Sequence, residues 1–240
     1  MTDSVLFLLK KAKEDNKKLL AVLLDPDKLE LHQIAQKIDR INKQKIDVIL
    51  VGGSLLFTNV LDVFILEIKK YTQIPVLIFP GSAMQISDNA DGILFLSLLS
   101  GRNPEFLISN QVVAAPILKQ TNLEIISTSY LLIESGRETT ASYISNTKPI
   151  PVNKPEIAVA TALAGEMMGH QLVYLDGGSG ALHAIPQDLI QMVSGQLNNP
   201  VIVGGGIHSS AQIKAAYDAG ATMVVIGTAF EKDEMLLDNL

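Results

Sequence analysis

The chain has 240 residues, enough to bury one full α/β core, and a net charge of −6. Its basic residues cluster no further than short pairs such as Lys10-Lys11 and Lys17-Lys18, which leaves nucleic-acid binding without its usual footprint. It has no cysteine, which excludes disulfides, thiolate metal sites and cysteine nucleophiles and fits a reducing, cytoplasmic setting.

Val5 to Lys18 reads as an amphipathic helix, with Val5, Leu8, Leu9 and Ala12 on one side. The stretch Met1 to Asn16 lacks the apolar centre of a signal peptide, and no apolar run approaches a membrane span, so any membrane contact is expected to be peripheral. Leu19 to Leu24 is a buried strand that ends in the turn Asp25-Pro-Asp-Lys28. A helix from Leu31 to Gln44 carries Ile34, Ile38 and Ile41 at helical spacing. Ile46 to Val51 is the second strand and ends in Gly52-Gly-Ser54; Asn59 to Tyr71 is the next helix; Pro75 to Phe79 is the third strand.

Only about a dozen residues then separate Phe79 from the fourth strand, Gly92 to Leu96, and they include Gly81, Asp88 and Asn89. A crossover between parallel strands usually needs a dozen or more residues and a helix. The third helix of the ring is therefore expected to be missing or reduced. Pro104 to Lys119 is a helix and Glu124 to Leu132 the fifth strand. Residues Glu134 to Lys154, with Gly136, Pro149 and Pro151, are too many for a plain loop and read as a lid or flap. After a helix from Pro155 to Met168 comes the most informative stretch, Leu172-Val-Tyr-Leu-Asp-Gly-Gly-Ser-Gly-Ala181, a buried strand running into a glycine-rich turn. Two further helix–strand units follow. Their strands, Pro200 to Val203 and Met223 to Ile226, end in Gly204-Gly-Gly206 and Gly227-Thr228, and a last helix closes the chain.

Eight strands alternating with helices, without a linker, predict an α/β fold: a single (β/α)8 TIM barrel spanning residues 1–240, with the third helix missing or reduced. A doubly wound open sheet is the alternative, disfavoured because no dinucleotide fingerprint follows the first strand. In such a barrel the chemistry sits at the carboxyl ends of the strands, and phosphate is commonly held by the last loops. Asp176 to Gly180, Gly204 to Gly206 and Gly227-Thr228 give three glycine-rich strand ends in a row, an expected phosphate cradle whose turns leave N–H groups free for an anion. Across the mouth, Asp25 with Ser54 suits Mg²⁺, which takes one or two carboxylates and keeps several waters. Asp27 reads instead as a turn former, and Lys28 and Lys148 as solvated lysines able to offset phosphate charge. His32, His170, His183 and His208 lack metal-ligand spacing; His32 and His170 read as exposed. One phosphate site and one carboxylate site facing each other point to transfer between two phosphorylated substrates. A phosphosugar isomerase or synthase barrel, or a non-catalytic phosphate-binding barrel, would share the cradle.

Taken together, Leu24-Asp-Pro-Asp-Lys28, Val51-Gly-Gly-Ser54, Tyr174-Leu-Asp-Gly-Gly-Ser-Gly-Ala181, Val203-Gly-Gly-Gly-Ile207 and Ile226-Gly-Thr228 resemble the geranylgeranylglyceryl phosphate synthase family, which includes the PcrB-type proteins. Glu134 to Thr140 and Ile144 to Pro151 resemble its flap. The resemblance implies prenyl transfer from a prenyl diphosphate to the sn-3 hydroxyl of sn-glycerol 1-phosphate. It implies Mg²⁺ on Asp25 and Ser54, and glycerol 1-phosphate held by Tyr174, Leu175, Asp176, Gly177, Gly178, Ser179, Gly180, Gly205, Gly206, Gly227 and Thr228. Asp176 is the implied base, with Tyr174 beside it, and a homo-oligomer is implied as well. Many members have Glu where Asp176 stands, and a short-chain subgroup has Lys where this chain has Leu23. The prenyl tail needs an apolar groove, for which Leu98, Tyr130 and Leu131 beside the missing helix are the expected linings.

Overall fold

The structure is a computed structural model that describes residues 4–57 and 60–227. Eight parallel strands close into a barrel in sequence order: β1 (Leu19–Leu24), β2 (Val48–Val51), β3 (Val76–Ile78), β4 (Gly92–Leu98), β5 (Glu124–Leu132), β6 (Leu172–Asp176), β7 (Val201–Gly204) and β8 (Met223–Ile226). Closure is made by β8 on β1, with Leu19 opposite Met223 and Val22 opposite Ile226. The helices are α1 (Val5–Glu14), α2 (Ile34–Lys43), α3 (Leu61–Lys69), α4 (Asn110–Leu118), α5 (Thr140–Ser145), α6 (Pro155–Met167), α7 (Gln187–Ser194) and α8 (Ser210–Asp218).

The strands read as continuous apolar runs because both faces are buried, and the pleat sorts their side chains into two layers. Leu19, Ala21, Leu50, Leu77, Leu94, Ile126, Tyr174, Ile202 and Val225 point inward and fill the barrel. Val22, Val51, Ile78, Ile93, Leu131, Val173, Leu175, Val203 and Ile226 point outward under the helices. Helix α1 caps the floor: Val5, Leu9 and Ala12 join the inner layer. The Glu124 carboxylate accepts from Ser4 Oγ and from the N–H groups of Val5 and Leu6, satisfying the first turn of α1.

No helix lies between β3 and β4. Side chains hold this connection instead. Gln85 accepts from the Gly81 N–H at 2.9 Å and donates to Gly53 O at 3.0 Å. Ser87 Oγ donates to Asp62 on α3, and Asp88 accepts from the Asn122 N–H at 2.8 Å. The outer face of β4, with Ile93 and Phe95, is left without the helix that would cover it.

Most element ends differ from the sequence reading by one to three residues, and three differences have a clear local cause or consequence. Helix α1 stops at Glu14, because Asn16 takes a left-handed backbone (φ 52°) that ends the turn. The helix expected from Pro104 is a π-turn over Glu105–Ser109 followed by α4. Gln111 Nε2 donates to Leu96 O and to Phe106 O (3.1 Å), supplying a partner for a carbonyl inside the wide turn. The flap holds a short helix, α5, capped by Thr139, and its ends are drawn together by a bridge between Ile133 and Ile150. Asn59, Thr228 and the last expected helix lie outside the described residues.

Candidate active site

A cavity of about 890 Å³ opens at the carboxyl ends of the strands. Its polar half is walled by Asp25, Gly52, Gly53 and Ser54 on one side and by Asp176, Gly178, Ser179, Gly180, Gly205, Gly206 and Gly227 on the other. Its apolar half leaves the barrel interior past Leu94, Leu96 and Leu98. It then runs down the outer face of β4 as a trench between Ala83, Ile86, Ile93, Phe95, Ala114 and Leu118. That trench is the space of the missing helix.

Asp176 is the last residue of β6 and points inward. It is only 6% exposed, accepts from the Tyr130 hydroxyl at 2.6 Å and from the Gly178 N–H at 2.8 Å, and still faces the cavity. Burial pushes its carboxyl above the ordinary carboxylate range, while the bonds from Tyr130 and Gly178 pull the other way. Burial and the nearby Asp176 charge hold both Tyr130 and Tyr174 well above the ordinary phenol range. Tyr174 stacks on Phe79 (centroids 5.0 Å apart) and meets Tyr130 edge-on at 5.7 Å. This aromatic cluster floors the cavity where its polar and apolar halves join.

The glycines of β7 and its loop are required by contact. A side chain on Gly204 would come within 2.6 Å of the Tyr174 hydroxyl, and one on Gly205 within 2.7 Å of Asp176 Oδ1. Gly205 also has φ 81° and Gly206 φ 69°, values that strain other residues.

The cradle is narrower than expected. The Gly177 N–H donates to Gly204 O at 3.0 Å and the Gly178 N–H to Asp176, so neither is free for an anion. Among the described residues the N–H groups of Ser179, Gly180, Gly205 and Gly206 have no protein acceptor, and those four face the mouth. Two expected contacts are corrected by the pleat. Leu131 and Leu175 alternate with the inward-facing Tyr130, Tyr174 and Asp176, so their side chains enter the outer layer, where both are fully packed over, and neither is among the residues that face the cavity. Leu98 and Tyr130 do line the cavity.

Across the mouth, Asp25 continues the inward phase of β1. Its Oδ1 accepts from the Asp27 N–H at 3.1 Å and its Oδ2 meets Lys28 Nζ at 3.1 Å. The turn bond is therefore made by Asp25, while Asp27 accepts from the Phe57 N–H at 2.7 Å and ties this loop to the one after β2. Lys28 Nζ is thus seated on Asp25, and Gly53 and Ser54 share its cavity wall, so the oxygen donors gathered here are one carboxylate and one hydroxyl; among the described residues no cluster of three or more His, Asp or Glu side chains forms a metal site. Lys148 is not among the lining residues, whereas Lys28 and His208 are. His170 is not exposed as expected: its Nδ1 lies 2.8 Å from Ser129 Oγ and burial lowers its pKa.

Several lining residues carry no motif in the sequence. Phe79, Phe106, Gln111 and Ala114 line the apolar half, and Arg137 reaches the mouth from the flap. The shortness of the 79–92 connection located the trench, but side-chain spacing alone could not show which residues of α4 face it.

In this (β/α)8 barrel the glycine-lined strand ends and a long apolar trench open into one cavity, an arrangement suited to a ligand set with both phosphate and lipid character. The PcrB family model matches residues 13–240. A geranylgeranylglyceryl phosphate synthase from Flavobacterium johnsoniae is 51% identical over 95% of this chain and 94% of its own length. One from Thermococcus kodakarensis is 42% identical over 92% and 87%. The crystal structure of (S)-3-O-geranylgeranylglyceryl phosphate synthase from Thermoplasma acidophilum, in complex with sn-glycerol-1-phosphate, superposes with a TM-score of 0.92. It is 33% identical and covers 98% of this chain and 94% of that one. The chain belongs to the PcrB family of geranylgeranylglyceryl phosphate synthases and is a prenyltransferase.

Proposed function

We propose that the protein transfers a geranylgeranyl group from its diphosphate to the sn-3 hydroxyl of sn-glycerol 1-phosphate, with Mg²⁺ held by Asp25 and Ser54. The observation that carries this reading is the continuity of the cavity: one space joins the glycine cradle, the Asp25 wall and the apolar trench. A phosphosugar barrel would have no use for the trench.

The acceptor phosphate lies against the N–H groups of Ser179, Gly180, Gly205 and Gly206, placing the glycerol hydroxyls toward Asp176. The prenyl tail lies along β4, where each buried CH₂ contributes about 0.8 kcal/mol. Mg²⁺ on Asp25 and Ser54 would supply charge stabilisation for the departing diphosphate. Cleavage of the allylic C1–O bond leaves C1 electrophilic. The sn-3 oxygen forms the new C–O bond, and its proton passes to Asp176. Tyr130 and Gly178 hold that carboxylate in place, and Tyr174 with Phe79 walls the reacting region from bulk water. Lys28 is positioned to share the diphosphate charge once Asp25 has turned to the cation. The lipid-like donor fits peripheral contact with a membrane surface in the cytoplasm. Among the described residues no helix is long and apolar enough to cross one.

The test is incubation with geranylgeranyl diphosphate, sn-glycerol 1-phosphate and Mg²⁺, with EDTA and sn-glycerol 3-phosphate as controls. A metal-dependent prenylglyceryl phosphate that prefers the 1-phosphate is expected. No product with any prenyl donor, despite binding of glycerol phosphate, would sink the reading.

A further inference from the structure

We propose that Arg137 is the cation of the acceptor-phosphate site, binding the phosphate group of the glycerol phosphate together with the turn at Gly180. This assignment rests on the reading above and adds to it a residue from the flap.

The guanidinium lies against the glycine-rich turn. A first side-chain carbon on Gly180 would come within 2.6 Å of Arg137 Nη2, so this glycine, at φ 79°, leaves room for the arginine as well as for the turn. Arg137 lines the cavity and, among the described residues, makes no hydrogen bond or ion pair with the protein. Gly180 beside it, and Ser179 on the same turn and cavity wall, carry N–H groups without an acceptor. A fork of donors and two backbone donors with nothing to donate to form a site for a compact dianion.

The flap is fastened on both sides of Arg137. On the near side, Ser135 O accepts from the N–H groups of Leu182 and His183, at 3.1 and 3.3 Å, just beyond the glycine turn. On the far side, Thr139 packs over Gly178, where a side chain would come within 2.7 Å of Thr139 Oγ1, and Thr139 also caps α5. At its base, the Glu134 N–H donates to Ile150 O and the Ile150 N–H to Leu132 O, at 2.9 and 2.8 Å. Arg137 is therefore the one cation that the flap holds at the cradle side of the mouth. Lys28 stands on the opposite wall with Asp25. The two phosphorylated substrates thus meet different cations, Arg137 for the phosphomonoester and Lys28 for the diphosphate.

The experiment titrates wild type, Arg137→Gln and Arg137→Lys with sn-glycerol 1-phosphate, and separately with geranylgeranyl diphosphate, by calorimetry at low and moderate salt. The glutamine variant should bind glycerol phosphate about ten- to hundredfold more weakly, the loss of charge-assisted bonds to a phosphate. Its affinity for the diphosphate should be unchanged. In turnover its KM for glycerol phosphate should rise with kcat nearly retained, and its glycerol phosphate binding should depend less on salt. The lysine variant should fall between, keeping the charge without the fork. Arg137 is exposed, so an unchanged melting temperature is expected and marks the variants as folded. Equal binding of glycerol phosphate by wild type and Arg137→Gln would overturn the assignment, as would a loss confined to the diphosphate. A wild type that binds no glycerol phosphate overturns the parent reading instead.

Discussion

The Tyr130 hydroxyl lies 2.6 Å from Oδ2 of Asp176, joining β5 to the end of β6 inside the barrel, where both groups are buried. Tyr130 itself is far too weak an acid to give up its proton here, because burial and the Asp176 charge hold it well above the ordinary phenol range. The hydroxyl therefore stays a donor and favours the ionised form of Asp176. Replacing Tyr130 by Phe removes one of the two bonds that counter the effect of burial. The acid limb of the kcat/KM profile should move to higher pH, and kcat/KM at neutral pH should fall about tenfold, the scale of a hydrogen bond to a charged group. A pH–rate series on Tyr130→Phe checks this; a limb that stays at its wild-type position would show that Asp176 does not depend on Tyr130.

Asp176 also links pH to stability. Its folded carboxyl lies above the ordinary value of 3.8, so the folded protein holds this proton more tightly than the unfolded chain. Stability from this group is thus present at low pH and is lost as pH rises from the ordinary carboxylate value through the raised one. Asp176→Asn carries no such charge. Relative to wild type it should gain stability at neutral pH, with the difference shrinking in acid, while transfer activity falls by about 10²- to 10⁴-fold, the scale of general-base catalysis. Denaturant unfolding at several pH values measures the first effect and product formation the second.

The barrel was legible because its strands are short apolar packets ending in turn residues, and because Phe79 and Gly92 are too close for a full crossover. That Asp25, Ser54, Asp176 and the loop glycines Gly180, Gly205 and Gly206 would face one cavity was legible for the same reason: each stands at a strand end. What failed depended on the pleat. Leu131 and Leu175 have the composition of lining residues, but their neighbours Tyr130, Tyr174 and Asp176 face inward, so they face out. Side-chain phase can be read from a strand only once one position is anchored, and a run buried on both faces has no polar residue to anchor it. The loss of Gly177 and Gly178 as anion donors was hidden too, because their partners, Gly204 O and Asp176, are set by packing between strands.

Asp25 tests the other wall. Its pairing with Lys28 is partly exposed and contributes little to stability, about 0–1 kcal/mol. Asparagine keeps the oxygen that accepts from Asp27. Asp25→Asn should therefore unfold within a few degrees of wild type, yet lose at least about 100-fold in transfer if the carboxylate holds the cation that offsets the leaving charge. Thermal unfolding with and without Mg²⁺ separates the two readings: a shift by Mg²⁺ in wild type and none in the variant is expected. An equal shift in both would place the cation elsewhere.

Ala114 stands on α4 facing the trench, one turn from Gln111 and one turn from Leu118, and is nearly buried at 6% exposure. Its small side chain keeps the trench open between β4 and α4, with Ile93 and Phe95 as the opposite wall. A phenyl group at this position has no layer behind it to enter, because α4 turns its other face to solvent at Val112, Val113 and Ile117. It must occupy the trench. Ala114→Phe should therefore shorten the space for the donor tail, forfeiting about 0.8 kcal/mol for each CH₂ it excludes. Short donors stop before the obstruction and lose nothing. The expected result is a KM for geranylgeranyl diphosphate that rises by tenfold or more, about 1.4 kcal/mol, against an unchanged value for geranyl diphosphate. Glycerol phosphate binding should be untouched, since Ala114 stands on α4 outside the barrel and Asp176 ends β6 inside it. If both donors suffer alike, the tail does not follow β4, and the trench serves some other purpose than donor binding.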